Sequence, residues 1–174
     1  MIEVGVLIAP QWKGEDWQNI ADTACSAALA ATAFAGLAQS SLCCEIAVKF
    51  SDSEEVQALN RDFRDKDKPT NILSFPQTPP DILIALSTSV GGAAAGDDAE
   101  AILGDMILAY EVCRDEASDK GISLSEHVTH LIVHGTLHLL GYDHIEESEA
   151  IDMEALETEI LAGLGIADPY GDRD

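Results

Sequence analysis

Three histidines near the C-terminal end of the chain constrain its fold more than any other feature. The segment reads His134-Gly-Thr-Leu-His138-Leu-Leu-Gly141-Tyr-Asp-His144. On a helix, His134 and His138 lie one turn apart, roughly 6 Å along the axis and on the same face. Gly141 can adopt the left-handed conformation that ends a helix, which would bring His144 back toward the other two. Three imidazoles with a fourth position open are the ligand set of a catalytic zinc, so the segment predicts a metalloenzyme.

The other histidines belong to the same part of the chain. All five fall between His127 and His144, a crowding that chance seldom produces. The alternative is that they are ordinary polar residues on a half-buried helix. His127 and His130 lie on the helical stripe of the predicted ligands but a turn or more away, so we expect them to cap, pack or support the site. Asp143 is a second candidate for a supporting or proton-handling role, or else a turn residue that caps the last helix.

Hydrophobic periodicity predicts alternating strands and helices. Strand patterns cover residues 2–9, 42–50, 72–75 and 102–108. Helical patterns cover residues 16–37, 110–120, 123–140 and 146–163, and a further helix runs from a cap at residue 52 or 53 to residue 64. This alternation predicts one α/β domain over residues 1–174, with helices packed on a small, mixed, mostly four-stranded sheet. The helix with the histidines is apolar nearly all round, so we expect it to be buried. Gly135 in its middle costs about 1 kcal/mol relative to alanine, which predicts either close packing or open space beside the metal.

Residues 77–100 interrupt this pattern. Prolines at positions 76, 79 and 80 mark a turn, and residues 82–86 are apolar enough for a strand fragment. Residues 91–98 have the small and acidic composition of a mobile loop. We therefore predict a flexible insertion loop over residues 77–100.

The charge of the chain is unusual for a protein that binds nucleic acid. A net charge of -23 argues against tight non-specific binding to phosphates. Five of the nine basic residues nonetheless lie within residues 49–68: Lys49, Arg61, Arg64, Lys66 and Lys68. They form either a local basic patch on an acidic body or a solvated helix end of mixed charge, since Asp62, Asp65 and Asp67 are interleaved. Spacing alone leaves both interpretations open.

The cysteines and the N-terminus favour a cytoplasmic protein. The four cysteines show no C-x-x-C spacing and are typical of reduced core thiols. No basic segment followed by an apolar run begins the chain, and the alanine-rich residues 21–38 contain Asp22 and lack the bulky side chains of a membrane span.

Three motifs in order resemble one bacterial family. The spacing H-x3-H-x2-G-x2-H is also the zinc signature of metzincin proteases, but their general-base glutamate is replaced here by Gly135. Together with its flanks, HGTLHLLGYDH resembles instead the YbeY-type metal-dependent endoribonucleases, which are rRNA maturation factors. The run from Leu59 to Pro76, LNRDFRDKDKPTNILSFP, resembles the second motif of that family, with Phe63 in place of the usual tyrosine. Leu-Gly-Asp at residues 103–105 resembles a third.

The resemblance implies an activity, a cofactor and partners. It implies one zinc ion per chain, held by His134, His138 and His144, and a functionally important arginine at Arg64. The implied activity is single-strand-specific cleavage of rRNA precursors in late maturation, including the 3′ end of 16S rRNA, and quality control of the small ribosomal subunit. The implied partners are RNA, the small subunit and its assembly factors, with the protein itself a monomer.

The motifs also suggest individual roles. Arg64 and His134 are the candidate catalytic residues, because zinc would activate water or act as a Lewis acid while the guanidinium neutralises phosphate charge. Arg61, Lys66 and Lys68 are candidates for binding the RNA backbone. Two other functions stay open: a zinc metalloprotease-like hydrolase, and a non-catalytic assembly factor that contains zinc.

Overall fold

One mixed sheet forms the centre of the molecule. The computed structural model describes residues 2–39, 43–88, 100–142 and 146–170. Its strands are β1 (Ile2–Ile8), β2 (Cys43–Ser51), β3 (Ile72–Pro76) and β4 (Glu100–Ala109). They lie in the order β1-β2-β4-β3, where β1, β2 and β4 run parallel and β3 pairs antiparallel with β4. The predicted α/β class and the mixed four-stranded sheet are confirmed.

Seven helices accompany the sheet within the described residues. They are α1 (Trp17–Ala30), α2 (Gly36–Gln39), α3 (Ser53–Arg64), α4 (Pro80–Thr88), α5 (Tyr110–Lys120), α6 (Leu124–Leu139) and α7 (Glu147–Gly163). In the part of the chain that the structure covers, none is both long and apolar enough to span a bilayer.

Two of these helices differ from the predicted elements. Helix α1 stops before residue 37 because the hydroxyl of Thr32 donates to the carbonyl of Leu29 at 2.8 Å and accepts from the amide of Phe34 at 3.2 Å, which competes with helical bonding. The strand fragment predicted at residues 82–86 is wrong, since Pro80 occupies the first position of a helix that includes them. Residues 89–99 lie outside the described residues, so the flexibility of the insertion stays a prediction.

Helices pack on both faces of the sheet. Because side chains alternate across a strand, Met106 and Leu108 of β4 face the main core, whereas Ile107 and Ala109 face a smaller cluster under α3. Helix α6 packs in the main core and contacts α1, α5 and α7 as well as β3 and β4. These contacts bury most residues of α6, as its apolar circumference predicted.

Local signals determine both ends of α6. At its start, the Oγ of Ser123 accepts a hydrogen bond from the amide of Glu126 at 3.1 Å. At its end, Gly141 has a φ of +98°, and a Cβ at this position would lie 2.6 Å from Cγ of Pro80. Only glycine satisfies both conditions, and the predicted end of the helix at Gly141 is confirmed.

Candidate metal centre

His134 and His138 present their rings side by side on α6. Both are only half-buried, and their Nε2 atoms lie 2.9 Å apart. Two nitrogens at that separation can each lie ~2.0–2.1 Å from a shared point, which is the distance that zinc requires. The third predicted ligand, His144, and the supporting candidate Asp143 lie outside the described residues, so their positions stay predictions.

A buried carboxylate lies behind His134. Glu157 of α7 has no exposed surface, and it accepts hydrogen bonds from Nδ1 of His134 and from the hydroxyl of Tyr170. The Nε2 atom of His130 lies 3.2 Å from the Tyr170 hydroxyl and 3.6 Å from Oε2 of Glu157. His130 therefore contacts the hydrogen-bond network on the Nδ1 side of the His134 ring.

The hydrogen bond between His134 and Glu157 suits a metal ligand. Burial raises the pKa of Glu157, but the neighbouring His130, the hydrogen bond and charge of His134, and the hydroxyl of Tyr170 together lower it to about 2. A carboxylate accepts only from a nitrogen that carries a hydrogen, so the contact places a hydrogen on Nδ1 of His134; whenever the ring is neutral, the lone pair is then on Nε2. Metal-binding histidines typically donate their second nitrogen to a carboxylate in this way. The described donor set therefore fits a zinc ion.

Sequence reasoning missed Glu157 and Tyr170. Acidic side chains on a surface helix usually face solvent, so residue type alone gives no reason to expect Glu157 in the interior. Glu157 follows Met153 by four residues and precedes Ile160 by three, so it lies on the buried stripe of α7. That phase is the signal that would have identified it. Nothing comparable marks Tyr170, which reaches the site from the segment after the last helix.

Basic side chains share a cavity with the two histidines. A cavity of about 470 Å³ is lined by His134 and His138 together with Arg64, Lys66 and Lys68. The guanidinium of Arg64 donates to the carbonyl of Ser74 at 2.7 Å and lies 5.6 Å from the ring centroid of Phe75. These contacts hold the arginine at the border of the cavity. Arg64 and His138 also line a neighbouring cavity of about 640 Å³ that extends toward Tyr142.

The loop after α3 carries the two lysines to this cavity. Asp65 adopts the left-handed conformation with a φ of 59° and ends the helix. The amide of Lys66 then bonds to the carbonyl of Asn60 at 3.2 Å. The buried side chain of Asn60 donates to the carbonyl of Lys68 at 2.8 Å. One buried asparagine thus fixes the path of the loop.

Arg61 lies apart from these basic residues. Its side chain is exposed and pairs with Asp62 at 3.2 Å and Asp67 at 3.9 Å, and it lines neither of the two cavities. Lys49 likewise pairs with Glu55 at 2.9 Å. Both interpretations of the charge pattern therefore describe part of this stretch, a mixed-charge helix end around Arg61 and a basic cavity border beyond it.

His127 lies farther along α6 in a packing role. It is buried, and its Nε2 lies 2.9 Å from Oε1 of Glu116 on α5. The same oxygen accepts a bond of 2.9 Å from the side chain of Asn71. His127 therefore ties α6 to α5 and to the start of β3.

Gly135 allows α6 to pack closely on the sheet. A Cβ at this position would lie 2.4 Å from Sδ of Met106 and 3.2 Å from Cδ1 of Ile72. Of the two alternatives for this glycine, the structure therefore favours close packing.

We expect Gly135→Ala to lower the free energy of unfolding. Overpacking against the buried Met106 costs about 1–3 kcal/mol, which outweighs the gain of about 1 kcal/mol in helix propensity. Gly163 on α7 is the matched control, since a Cβ there meets nothing within 4 Å. Gly163→Ala should leave stability unchanged or raise it. Urea denaturation of both variants measures the difference, and equal midpoints would contradict the packing argument.

A second group of possible metal ligands lies on the sheet. Ligand atoms of Glu3, Cys43 and Glu45 lie within 4.8 Å of one another. Glu3 is exposed and the other two are partly exposed, and the group contains no histidine. Exposed acidic groups of this kind are common without an ion, so we assign no metal to it.

The fold and the site together define a small α/β domain. In this domain a buried helix presents two histidines to a cleft that is bordered by basic side chains. The solution structure of TM1509 from Thermotoga maritima has the same fold, with a TM-score of 0.51 and 17% sequence identity. That likeness covers 98% of this chain and 100% of the other.

Sequence comparison identifies the family. A family model described as Endoribonuclease YbeY matches residues 10–165. The protein named Endoribonuclease YbeY from Sphingopyxis alaskensis is 51% identical over 175 residues, which cover 100% of both chains. The protein of the same name from Zymomonas mobilis is 48% identical over 175 residues, covering 100% of this chain and 96% of its own. This chain therefore belongs to the YbeY endoribonuclease family, as its motifs indicated.

Proposed function

We propose that this protein is a zinc-dependent endoribonuclease that cuts single-stranded RNA. One observation carries the proposal: a single cavity combines the histidines of α6 with Arg64, Lys66 and Lys68. Nitrogen ligands on one side and phosphate-binding cations on the other are what metal-assisted cleavage of a phosphodiester requires. Family membership supports RNA as the substrate.

The proposed biological substrate is precursor rRNA. In this proposal the protein acts in late maturation of the small ribosomal subunit, including processing at the 3′ end of 16S rRNA, and in quality control of that subunit. It works in the cytoplasm as a monomer alongside the subunit and its assembly factors. A local basic border on an acidic body favours binding of a particular RNA site over non-specific adhesion to nucleic acid.

The proposed ligands of the zinc ion are His134, His138 and His144. When bound, zinc supplies Lewis-acid chemistry, which polarises a phosphoryl oxygen and acidifies a water molecule. His134 and His138 hold their Nε2 atoms at the cavity wall, and Glu157 fixes the proton of His134 on Nδ1. In a neutral His134 ring this bond leaves the lone pair on Nε2, which is the atom available to a metal.

Arg64 is the proposed stabiliser of phosphate charge. A guanidinium has five donors in a planar fork, so the one used on Ser74 leaves others for phosphate oxygens. The contact with Phe75 restricts its motion. A cation held in advance beside the scissile group costs little reorganisation when charge develops there.

The protease alternative is weakened by packing around Gly135. A metzincin needs a glutamate at this position, but the site of its Cβ is filled by Met106. A non-catalytic assembly factor remains the second alternative, and its test is direct.

One set of assays separates the three functions. Chelated protein, with and without added zinc, is incubated with single-stranded RNA, with a duplex of the same sequence and with casein, and ribosome co-sedimentation is measured in parallel. We expect zinc to restore cleavage of the single strand only. Casein digestion without RNA cleavage would support the protease, and co-sedimentation without either activity would support the assembly factor.

Lys66 and Lys68 are expected to bind the RNA backbone. In metal-free protein, where no cleavage takes place, each alanine variant should bind single-stranded RNA several-fold more weakly. Each should also reduce the slope of log affinity against log salt by about 0.7, the value for one phosphate contact on a single strand. Arg61→Ala is the control, because that side chain is occupied by Asp62 and Asp67. An unchanged salt slope in both lysine variants would exclude these two contacts.

A further inference from the structure

Glu157 has a more specific environment than a buried acid needs for packing. Its side chain is completely buried, and each oxygen has its own partner, His134 for Oε1 and Tyr170 for Oε2. A buried charge is costly unless hydrogen bonds compensate it, and both oxygens are compensated here. One of these partners, His134, is a proposed ligand of the zinc ion.

We propose that Glu157 is a positioning residue for the metal centre, holding the imidazole of His134 with Nε2 toward the metal, and that Tyr170 holds the carboxylate in turn. This inference rests on the proposed zinc-dependent function. It assigns to α7 and to the segment after it a role in the site, although the recognisable motif lies on α6.

The bond from His134 to Glu157 fixes two properties of the ring. It prevents the imidazole from turning about its χ2 bond, so that Nε2 stays 2.9 Å from Nε2 of His138. It also places the hydrogen on Nδ1, which leaves the lone pair of Nε2 for a metal, and a carboxylate partner makes that lone pair more basic. Both properties favour binding of the metal without any contact between Glu157 and the ion.

Tyr170 reaches the carboxylate because the chain folds back after α7. Asp168 accepts hydrogen bonds from the hydroxyl of Thr158 at 3.2 Å and from the amide of Tyr170 at 2.8 Å. The Tyr170 ring packs edge-on against His130, with 5.5 Å between centroids and an interplanar angle of 89°. The second oxygen of Glu157 is therefore held by a residue from the segment after α7.

The same helix carries a matched pair that lies farther from the site. Glu116 is bonded to His127 at 2.9 Å, as Glu157 is to His134, and both histidines are on α6. His127 precedes His134 by seven residues, about 10 Å along the axis. Loss of the Glu116 carboxylate should affect only the packing between α5 and α6. Glu116→Gln is therefore the control for Glu157→Gln.

The test measures the affinity of the full-length protein for zinc by competition with a chromophoric chelator, together with the visible spectrum of the cobalt-substituted protein. Glu157→Gln preserves shape and removes charge, so we expect about 10-fold weaker binding of zinc. Glu157→Ala also removes the hydrogen bond and should approach a loss of about 100-fold. Tyr170→Phe should weaken binding several-fold, and Glu116→Gln should leave affinity within about twofold.

The cobalt spectrum separates positioning from a general loss of stability. Its bands depend on the geometry of the ligands, so they should shift in the Glu157 variants and stay unchanged in Glu116→Gln. Melting of the chelated proteins reports on the fold. If Glu157→Gln binds zinc as the parent does and has the same spectrum, the inference is wrong. If the Glu157 variants do not fold, an unchanged affinity and spectrum in Tyr170→Phe overturns it. A parent that binds neither zinc nor cobalt would instead refute the proposed function itself.

Discussion

His138→Ala is expected to lose both zinc and RNA cleavage while the protein remains folded. Loss of a hydrogen-bond partner behind a ligand typically costs 10–100-fold in metal affinity, so loss of the ligand itself should cost more. Alanine is a strong helix former, and the side chain of His138 is only half-buried, so α6 should form as before. Metal analysis after reloading with zinc, circular dichroism and the RNA assay measure the three properties.

The remaining histidines provide the comparison for this experiment. His134→Ala and His144→Ala should also lose zinc and RNA cleavage, if all three residues bind the ion. His127→Gln is the control, because His127 lies about two turns before His134 on α6 and pairs with Glu116 of α5. A full equivalent of zinc in any one of the three alanine variants would remove that residue from the ligand set. Since zinc binds only the folded state in this scheme, chelation should also lower the melting temperature of the parent.

Arg64→Ala is expected to reduce RNA cleavage by about 10²–10³-fold, the effect of removing one preorganised donor to developing charge. Zinc content should stay at the level of the parent, because the arginine reaches the cavity from α3 rather than from α6. Stability should change little, since the side chain is exposed. Arg64→Lys should recover only part of the activity, because an ammonium cannot form the planar, two-pronged contact of a guanidinium.

Arg61 is the matched control for this variant. It lies one turn before Arg64 on α3, it is exposed, and it pairs with Asp62. Arg61→Ala should therefore cleave RNA nearly as the parent does. Cleavage by Arg64→Ala at the rate of the parent would show that phosphate charge is stabilised elsewhere and would refute the role proposed for this residue.

Local rules determined much of this protein from its sequence alone. The ends of α6 follow from Ser123 and Gly141, because capping and a left-handed turn are decided within a few residues. The α/β class follows from the alternation of helical and strand patterns, and the family follows from sequence motifs that occur in the expected order. The side-by-side placement of His134 and His138 follows from helical geometry.

Only the tertiary structure decided which distant residues meet. The apolar composition of residues 82–86 is compatible with a strand or with a helix. The structure has the helix α4 there, and Pro80 of this helix packs against Gly141. The sequence left open whether Gly135 packs closely or borders open space. The structure decides this, because Met106 of β4 lies against Gly135. Glutamate usually lies at the protein surface. Glu157 can be buried because His134 and Tyr170 supply its hydrogen bonds. Burial and pKa depend on neighbours brought together from far along the chain, so periodicity within one element does not determine them.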